Sequence, residues 1–478
     1  MTKSLAEELF AAGAIDQDAL FAALFSAAAL KERFEADFSR SAGKGTDRLN
    51  GFQFAARANT ECGVASSKCR AGRYRFAPYL ENLKPKGRNK APRLIGIPTI
   101  RDRVVLSQLN RFLAAVFPDC VPKNIAGAYV RSVFEDLKTK IPADTWICST
   151  DIRTFYDAIQ QDRLMNVLRK KIKNDAALVL VRSALRTPTV PKNTKRSRHG
   201  EFRPKRGVPQ GLAISNILAA IYMREVDDAM KTLGVAYYRY VDDVLMYGGK
   251  DLVERALRSL RARLRRRGLS LHPESSGKTS RQPMTTKFGY LGYTFTWPQI
   301  SVREATVERF LQSVAAKFSE YLHNKSRRLE RFKYLTEARL ADIFLLELNE
   351  RITGAISENR RYGWIAYFNQ ITDLSLLHRL DRAIVRMFCR LPDFGRKAPE
   401  ELRSLSRAYF EMKFNPNGGY VRDYDSIDTR AEKLKFLQER GRIDPAEALT
   451  DEQINDRYAK YVHRVLATMH ADEGVFYA

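Results

Sequence analysis

The stretch Tyr240-Val241-Asp242-Asp243-Val244-Leu245-Met246-Tyr247 decides how the rest of the chain is read. It sets two adjacent carboxylates inside an apolar, β-prone frame. One of the pair must point into or beside a core, and a buried charge needs compensation. Residues 235–240 immediately before it form a β-prone run. A second such run, residues 145–150 (TWICST), ends at another acid, Asp151. If the two runs pair in one sheet, Asp151, Asp242 and Asp243 converge at one rim. A lone Asp at a strand end is usually a turn or cap residue. A converged set repels itself and suits hard cations such as Mg²⁺, which take oxygen ligands.

The charge balance narrows the partners. Lys and Arg number 82 against 55 Asp and Glu, a formal +27. That excess raises the local density of polyanions, so nucleic acid is the first partner to consider, ahead of a merely basic soluble protein. The length of 478 residues allows about three domains or one large composite. With 44% hydrophobic residues there is material for a sizeable core, and global disorder is excluded. The longest apolar run, residues 19–30, is shorter than the roughly 20 residues of a membrane span. Asp16 and Asp18 stand where a signal peptide would be positive. The run reads as one buried helix of a cytoplasmic protein. The five scattered cysteines include no CxxC pair, which argues against a disulfide framework or a zinc knuckle.

Outward from the acids, the pattern alternates between helix and short strand. Residues 1–40 are Ala-rich and read as helical, residues 93–98 (RLIGIP) as a strand, and residues 101–117 as a helix. Residues 84–90 form a polar turn, and residues 192–206 a loop holding seven basic residues. Ile214, Leu218, Ile221, Tyr222 and Val226 recur at helical spacing. A further helix over 251–267 sets Leu257, Leu260 and Leu264 on one face and Arg255, Arg258 and Arg261 on the other, and Gly268 stops it. Residues 288–297 (FGYLGYTFTW) read as an aromatic hairpin, and beyond residue 300 the chain reads as mostly helical.

Three segments together resemble a known family. Tyr240-Val241-Asp242-Asp243 is similar to the signature turn of reverse transcriptases. Asp151 to Asp157 (DIRTFYD) resembles their first palm motif, and residues 207–216 (GVPQGLAISN) the motif between the two. A lone YxDD is weak, whereas three motifs in family order are specific. Residues 93–105 resemble the fingers segment of enzymes related to group II introns, and residues 43–49 with 74–79 their N-terminal extension. Residues 272–279 fall where the fourth palm motif stands, and residues 288–295 resemble the primer grip. Residues 348–354 (LNERITG) with 363–368 (GWIAYF) resemble the helical thumb. Residues 395–478 carry no motif of the family.

The resemblance implies an α+β fold, a right-hand polymerase with an antiparallel palm sheet backed by helices. The expected divisions are a helical segment at 1–40, fingers with an N-terminal extension at 41–145, and a palm at 146–300 with a basic insertion at 187–206. A helical thumb at 301–394 and a helical C-terminal extension at 395–478 follow. The implied activity is RNA-directed DNA synthesis, in which two Mg²⁺ ions (or Mn²⁺) activate a 3′-hydroxyl and stabilise the leaving pyrophosphate. Asp151 and Asp242 would ligate both ions, helped by the Ile152 carbonyl, with Asp243 as a further ligand or as support. Tyr156 holds the steric-gate position, where a ring leaves no room for a ribose 2′-hydroxyl; apart from the motif it reads as a core tyrosine. Arg93 and Arg101 match positions that hold the triphosphate, a task suited to the planar arginine fork. Gln210 would sit beside the incoming nucleotide. Lys278 would be the general acid for pyrophosphate, or else a phosphate contact or a surface lysine. Lys195, Arg196, Arg198, Lys205 and Arg206 in the basic loop would contact RNA, the alternative being a solvated loop.

The chain shows no Cys/His cluster after the thumb motif, as an endonuclease-bearing intron protein would, and no VTG or NAxxH element of retron enzymes. It is most similar to the defence-associated or unknown-group reverse transcriptases of bacteria. That resemblance implies cDNA synthesis on a dedicated noncoding RNA in antiviral defence. The implied partners are an RNA template, a DNA product and dNTPs, with no membrane and with a homo-oligomer left open. The alternatives are a group II intron-type or retron enzyme, a protein-primed template-independent polymerase, and a non-catalytic RNA-binding scaffold. The clustered acids argue against a scaffold, and the thumb-like segment against protein priming.

Overall fold

The computed structural model describes residues 16–85, 91–121, 125–415 and 418–473. The first part of the expected N-terminal helical segment, residues 1–15, and most of the polar turn, residues 86–90, lie outside the described residues. The chain divides into two compact units, Met1–Lys123 with Asp144–Gln282 and Asn124–Ala143 with Pro283–Tyr477.

In the first unit the two β-prone runs enter one sheet but do not pair directly, because Asp243–Gly248 lies between them. A four-stranded sheet has the order Ala236–Tyr240, Asp243–Gly248, Trp146–Asp151, Ser280–Pro283. The first three strands are antiparallel neighbours. Val244 through Tyr247 are all buried, the continuous apolar run of a strand covered on both faces. The helix Lys250–Arg266 lies against this strand and against Trp146–Asp151. It buries Val253, Ala256, Leu257, Leu260 and Leu264, each large one worth about 1.5–3 kcal/mol. The helix Ser215–Lys231 covers Ala236–Tyr240. A second sheet pairs Tyr79–Lys84 antiparallel with Arg93–Ile97 and parallel with Thr189–Val190.

Two details differ from the sequence reading. Residues 19–30 are not one helix, because Gln17–Leu24 and Ala27–Asp37 meet at Ser26. The Ser26 hydroxyl accepts from the Ala29 amide at 3.2 Å and caps the second helix. The basic loop at 192–206 contains a 3₁₀ helix, Arg196–Phe202.

In the second unit the aromatic hairpin forms, Phe288–Tyr290 with Tyr293–Thr296, and Gln299–Val302 extends it. Phe288 and Phe295 are cross-strand partners whose rings stack at 4.7 Å. The helices Glu304–Arg331, Glu337–Thr353 and Leu374–Met387 follow. Beyond residue 300 the chain is not helical throughout: Ala355–Ser357 is flanked by Arg360–Tyr362 and by Arg422–Asp423 in a small sheet. Strands of two or three residues are too short to leave a periodic signal. The segment without a family motif is built into this unit. Arg440, fully buried, pairs with Glu350, which also accepts from the hydroxyls of Tyr424 at 3.2 Å and Tyr461 at 3.4 Å. Arg351 pairs with Asp472 at 2.5 Å. Among the described residues no helix is long and apolar enough to cross a membrane.

Candidate active site

The acids meet because of register and one tight turn. Tyr240 and Asp243 are cross-strand partners, so Val241 and Asp242 alone form the hairpin turn. Val241 has φ +57, the left-handed region that a β-branched residue rarely adopts. On the other side of the central strand, Asp151 is the partner of Asp243. The Ile152 amide donates to the Asp242 carbonyl at 3.0 Å and ties the turn to the end of the neighbouring strand. Asp151, Ile152, Asp242 and Asp243 therefore share one rim of the sheet.

The electrostatics of this rim disfavour ionisation of both acids at once. Burial first, and the Asp151 charge second, push the Asp242 carboxyl up to about 6, against the pull of Arg93 and Lys278. The side-chain donors at the rim are carboxylate oxygens, which fit Mg²⁺. Among the described residues no group of three or more His, Cys, Asp or Glu side chains is arranged to hold an ion. Backbone oxygen, nucleotide or water must complete any coordination by the two acids.

Asp151 has two nitrogen neighbours. Its Oδ1 lies 3.1 Å from His272 Nε2 and 3.3 Å from Lys278 Nζ, and those nitrogens are 3.2 Å apart. Burial, then the Lys278 charge, lowers the His272 pKa, while Asp151 opposes them. The segment is held there by an antiparallel bridge between Ile152 and Leu271 and by the His272 amide on the Asp151 carbonyl at 3.0 Å.

Tyr156 follows in the short helix Phe155–Ala158. Its hydroxyl donates to Asn216 Oδ1 at the start of the helix Ser215–Lys231. Burial, then the Asp242 charge, raises its pKa. The Tyr156 carbonyl accepts from the Val208 amide at 2.9 Å, so the residues around Gln210 are laid against the Tyr156 turn. Gln210 accepts from the Gly96 amide at 2.8 Å through its carbonyl, and its side chain reaches Asp157 Oδ1 at 3.3 Å. Gly211 has φ +95, and a Cβ there would stand 2.6 Å from Ile95 Cγ2 and 2.8 Å from the Gly96 carbonyl. Only glycine lets this loop meet the strand Arg93–Ile97, which carries Arg93 to within electrostatic reach of Asp242 and Tyr156.

Other sequence candidates lie elsewhere. Arg101 contacts Glu61 at 3.2 Å, Asp102 at 3.9 Å and the face of Tyr74, none of them part of the carboxylate rim. Its placement gives it a partner in helix Ala58–Arg70, a contact the motif position does not reveal. Lys195, Arg196, Arg198, Lys205 and Arg206 are all exposed, and Arg198 pairs with Glu201 at 2.9 Å. On the arginine face of Lys250–Arg266, Arg261 meets Glu274 at 2.9 Å. Sequence reasoning gave no role to His272, Asn216 or Arg239. His272 lay inside a segment already matched to a motif, whereas Asn216 and Arg239 gain their roles from tertiary contacts.

The acids thus lie on one rim of an antiparallel sheet backed by helices, and comparison with known proteins gives the class. Residues 83–295 match the family described as reverse transcriptase (RNA-dependent DNA polymerase), so the chain contains a reverse transcriptase domain. It is similar to the "Uncharacterized 91 kDa protein in cob intron" of Schizosaccharomyces pombe, 30% identical over 169 residues, 34% of this chain and 20% of that protein. It is also similar to the "Putative COX1/OXI3 intron 1 protein" of Saccharomyces cerevisiae, 26% identical over 169 residues, 34% of this chain and 19% of that protein. The match thus spans about a fifth of each relative's length. Among solved structures, telomerase from Candida albicans in complex with a fragment of telomeric RNA aligns with TM-score 0.40 and 15% identity, over 69% of this chain and 64% of that one. Apo telomerase from Candida tropicalis aligns with TM-score 0.40 and 12% identity, over 84% and 68%.

Proposed function

We propose that the chain is an RNA-directed DNA polymerase that copies RNA into cDNA by metal-assisted nucleotidyl transfer. The observation that carries this reading is the convergence of Asp151 and Asp242 on one rim, with the Asp242 carboxyl raised to about 6 in a site of oxygen donors. Mg²⁺ bound there would supply Lewis-acid activation of the primer 3′-hydroxyl and neutralise charge on the leaving pyrophosphate. Asp151 and Asp242, with the Ile152 carbonyl, are the groups that would hold it, and Asp243 supports them. Arg93 binds the triphosphate, Gln210 and the glycine-bounded loop shape the nucleotide pocket, and Tyr156 excludes the ribose 2′-hydroxyl. Lys278 hands a proton to pyrophosphate, with His272 beside it. The exposed cations of 195–206 hold template RNA. The fingers, palm, thumb and extension boundaries given above are part of the same proposal.

For the biological role we take cytoplasmic antiviral defence on a dedicated noncoding RNA, on the motif-level resemblance to defence-associated enzymes. The second reading, an intron-associated reverse transcriptase, is favoured by the two fungal relatives, whose names place them in introns. Purified protein given dNTPs, an RNA template and a DNA primer should make product complementary to the template, and ribonuclease pretreatment should abolish it. Product made without template would favour template-independent synthesis. Expression with flanking DNA and a phage panel separates the roles: protection lost in Asp242→Ala supports defence, and movement of the gene to new sites supports the intron reading.

A further inference from the structure

The turn that presents Asp242 is held by a side chain outside the metal-binding set. Along the strand Ala236–Tyr240, alternation puts Tyr237 and Arg239 on one face. Both reach Asp227, in the last turns of the helix Ser215–Lys231. Arg239 Nε donates to Asp227 Oδ1 at 2.7 Å, its Nη2 donates to Oδ2, and the Tyr237 hydroxyl donates to Oδ1 at 2.8 Å. The pair is nearly enclosed, with side chains 11% and 15% exposed. The remaining arm of the guanidinium turns toward the hairpin: Arg239 Nη1 donates to the Val241 carbonyl at 2.7 Å.

The carbonyl that Arg239 holds lies in the peptide plane before Asp242. The carbonyl after it, that of Asp242 itself, accepts from the Ile152 amide at 3.0 Å. With both flanking peptide planes fixed, the backbone angles of Asp242 are fixed, and so is the direction in which its side chain leaves the chain. Restraint is needed there, because Val241 at φ +57 sits in a strained region that a β-branched residue keeps only when its surroundings over-determine it.

We infer that Arg239 is a positioning residue, whose guanidinium, oriented by Asp227, clamps the Val241 carbonyl and thereby aims the Asp242 carboxylate. The inference rests on the polymerase reading above. Arginine suits the post because its fork binds a carboxylate with two N–H groups and still has a third directed elsewhere. The helix that carries Asp227 also carries Asn216, the partner of Tyr156, so a single element braces both the catalytic turn and the gate.

The test separates clamping from simple charge pairing. In Arg239→Met/Asp227→Leu/Tyr237→Phe both charges and the tyrosine hydroxyl that Asp227 accepts from go together, so no buried polar group is orphaned, but the Val241 carbonyl loses its donor. Arg239→Lys keeps a charge beside Asp227 and cannot span both Asp227 and Val241 as a fork. Each variant is measured for melting temperature, primer–template affinity, kcat, KM for dNTP, and the Mg²⁺ concentration giving half-maximal rate. The expected result is an unchanged melting temperature and primer–template affinity. With these, kcat falls by about 100-fold, the loss typical of a small misplacement of a reacting group, and more Mg²⁺ is needed for half-maximal rate. Wild-type kcat and Mg²⁺ dependence in either folded variant overturns the clamp. Asp242→Asn runs alongside: if it too polymerises normally, the functional reading fails, and if it is inactive while the clamp variants are normal, the clamp alone fails.

Discussion

The perturbation most diagnostic of the rim is Asp242→Asn, measured as stability. In the protein without divalent cation, the Asp242 carboxyl titrates near 6 rather than 3.8, because burial and the Asp151 charge penalise its ionised form. A folded-state pKa above the unfolded value means that the native state binds the extra proton. The stability associated with it is fully present below about pH 3.8, is lost as pH rises through about 6, and stays lost at neutral pH. At about 1.4 kcal/mol per unit the penalty has a ceiling of about 3 kcal/mol. Solvent reaching this half-buried turn reduces it to about 1–2 kcal/mol. Asparagine keeps the shape and removes the charge. In EDTA at neutral pH the variant should therefore unfold at higher denaturant concentration than the wild type, and the difference should vanish toward about pH 4. Adding Mg²⁺ should reverse the order. Free ion at about a hundredfold its Kd stabilises the wild type by about 2.7 kcal/mol, more than the penalty, and the variant gains much less. Urea titrations across pH, with and without Mg²⁺, measure all of this. A variant less stable than the wild type in EDTA at neutral pH, with the same pH profile, would refute the reasoning.

Three further outcomes follow from other contacts. Tyr156→Ala opens the gate and cuts the hydrogen bond to Asn216. Incorporation of rNTP relative to dNTP should rise, with up to about 3 kcal/mol of stability lost, and unchanged sugar discrimination in primer extension would place the gate elsewhere. Glu350→Ala leaves Arg440 buried without its carboxylate and should cost about 3–5 kcal/mol in thermal or urea unfolding; Glu350→Gln with Arg440→Met, which keeps an acceptor for the Tyr424 and Tyr461 hydroxyls, should recover most of it. Neutralising Lys195, Arg196, Arg198, Lys205 and Arg206 should flatten the dependence of log affinity on log salt for single-stranded RNA. Since Arg198 is already paired with Glu201, about four contacts of about 0.7 each are expected, near 3 in slope, and an unchanged slope would remove the loop from the RNA path.

Much of the rim was legible because its signals are local. Two β-prone runs each led into an acid and share one sheet; the strand that leaves the turn, Asp243–Gly248, rather than the run before it, pairs with Trp146–Asp151 and sets Asp151 opposite Asp243. The helices on the sheet announced themselves by periodicity, as in Leu257, Leu260 and Leu264. What escaped depends on partners distant in sequence. Nothing in the sequence around Arg239 points to Asp227, and nothing near Glu350 points to Arg440, since each pair exists only once the chain has packed. Arg101 shows the converse, for its motif position suggested a phosphate contact while Glu61 and Tyr74 surround it. Ser26 shows how one hydroxyl inside an apolar run divides it, by serving as the cap of the next helix.

The central claim is that Asp151 and Asp242 form the catalytic centre of an RNA-templated DNA polymerase. The measurement that tests it most directly is extension of a DNA primer on an RNA template with dNTPs and Mg²⁺, for the wild type, Asp151→Asn and Asp242→Asn. All three proteins are first checked for folded state and primer–template binding. The wild type should extend the primer, and EDTA should abolish extension. Both variants should lose extension, by about 10³-fold or more, with primer–template binding retained. Extension at the wild-type rate by either folded variant would contradict the claim.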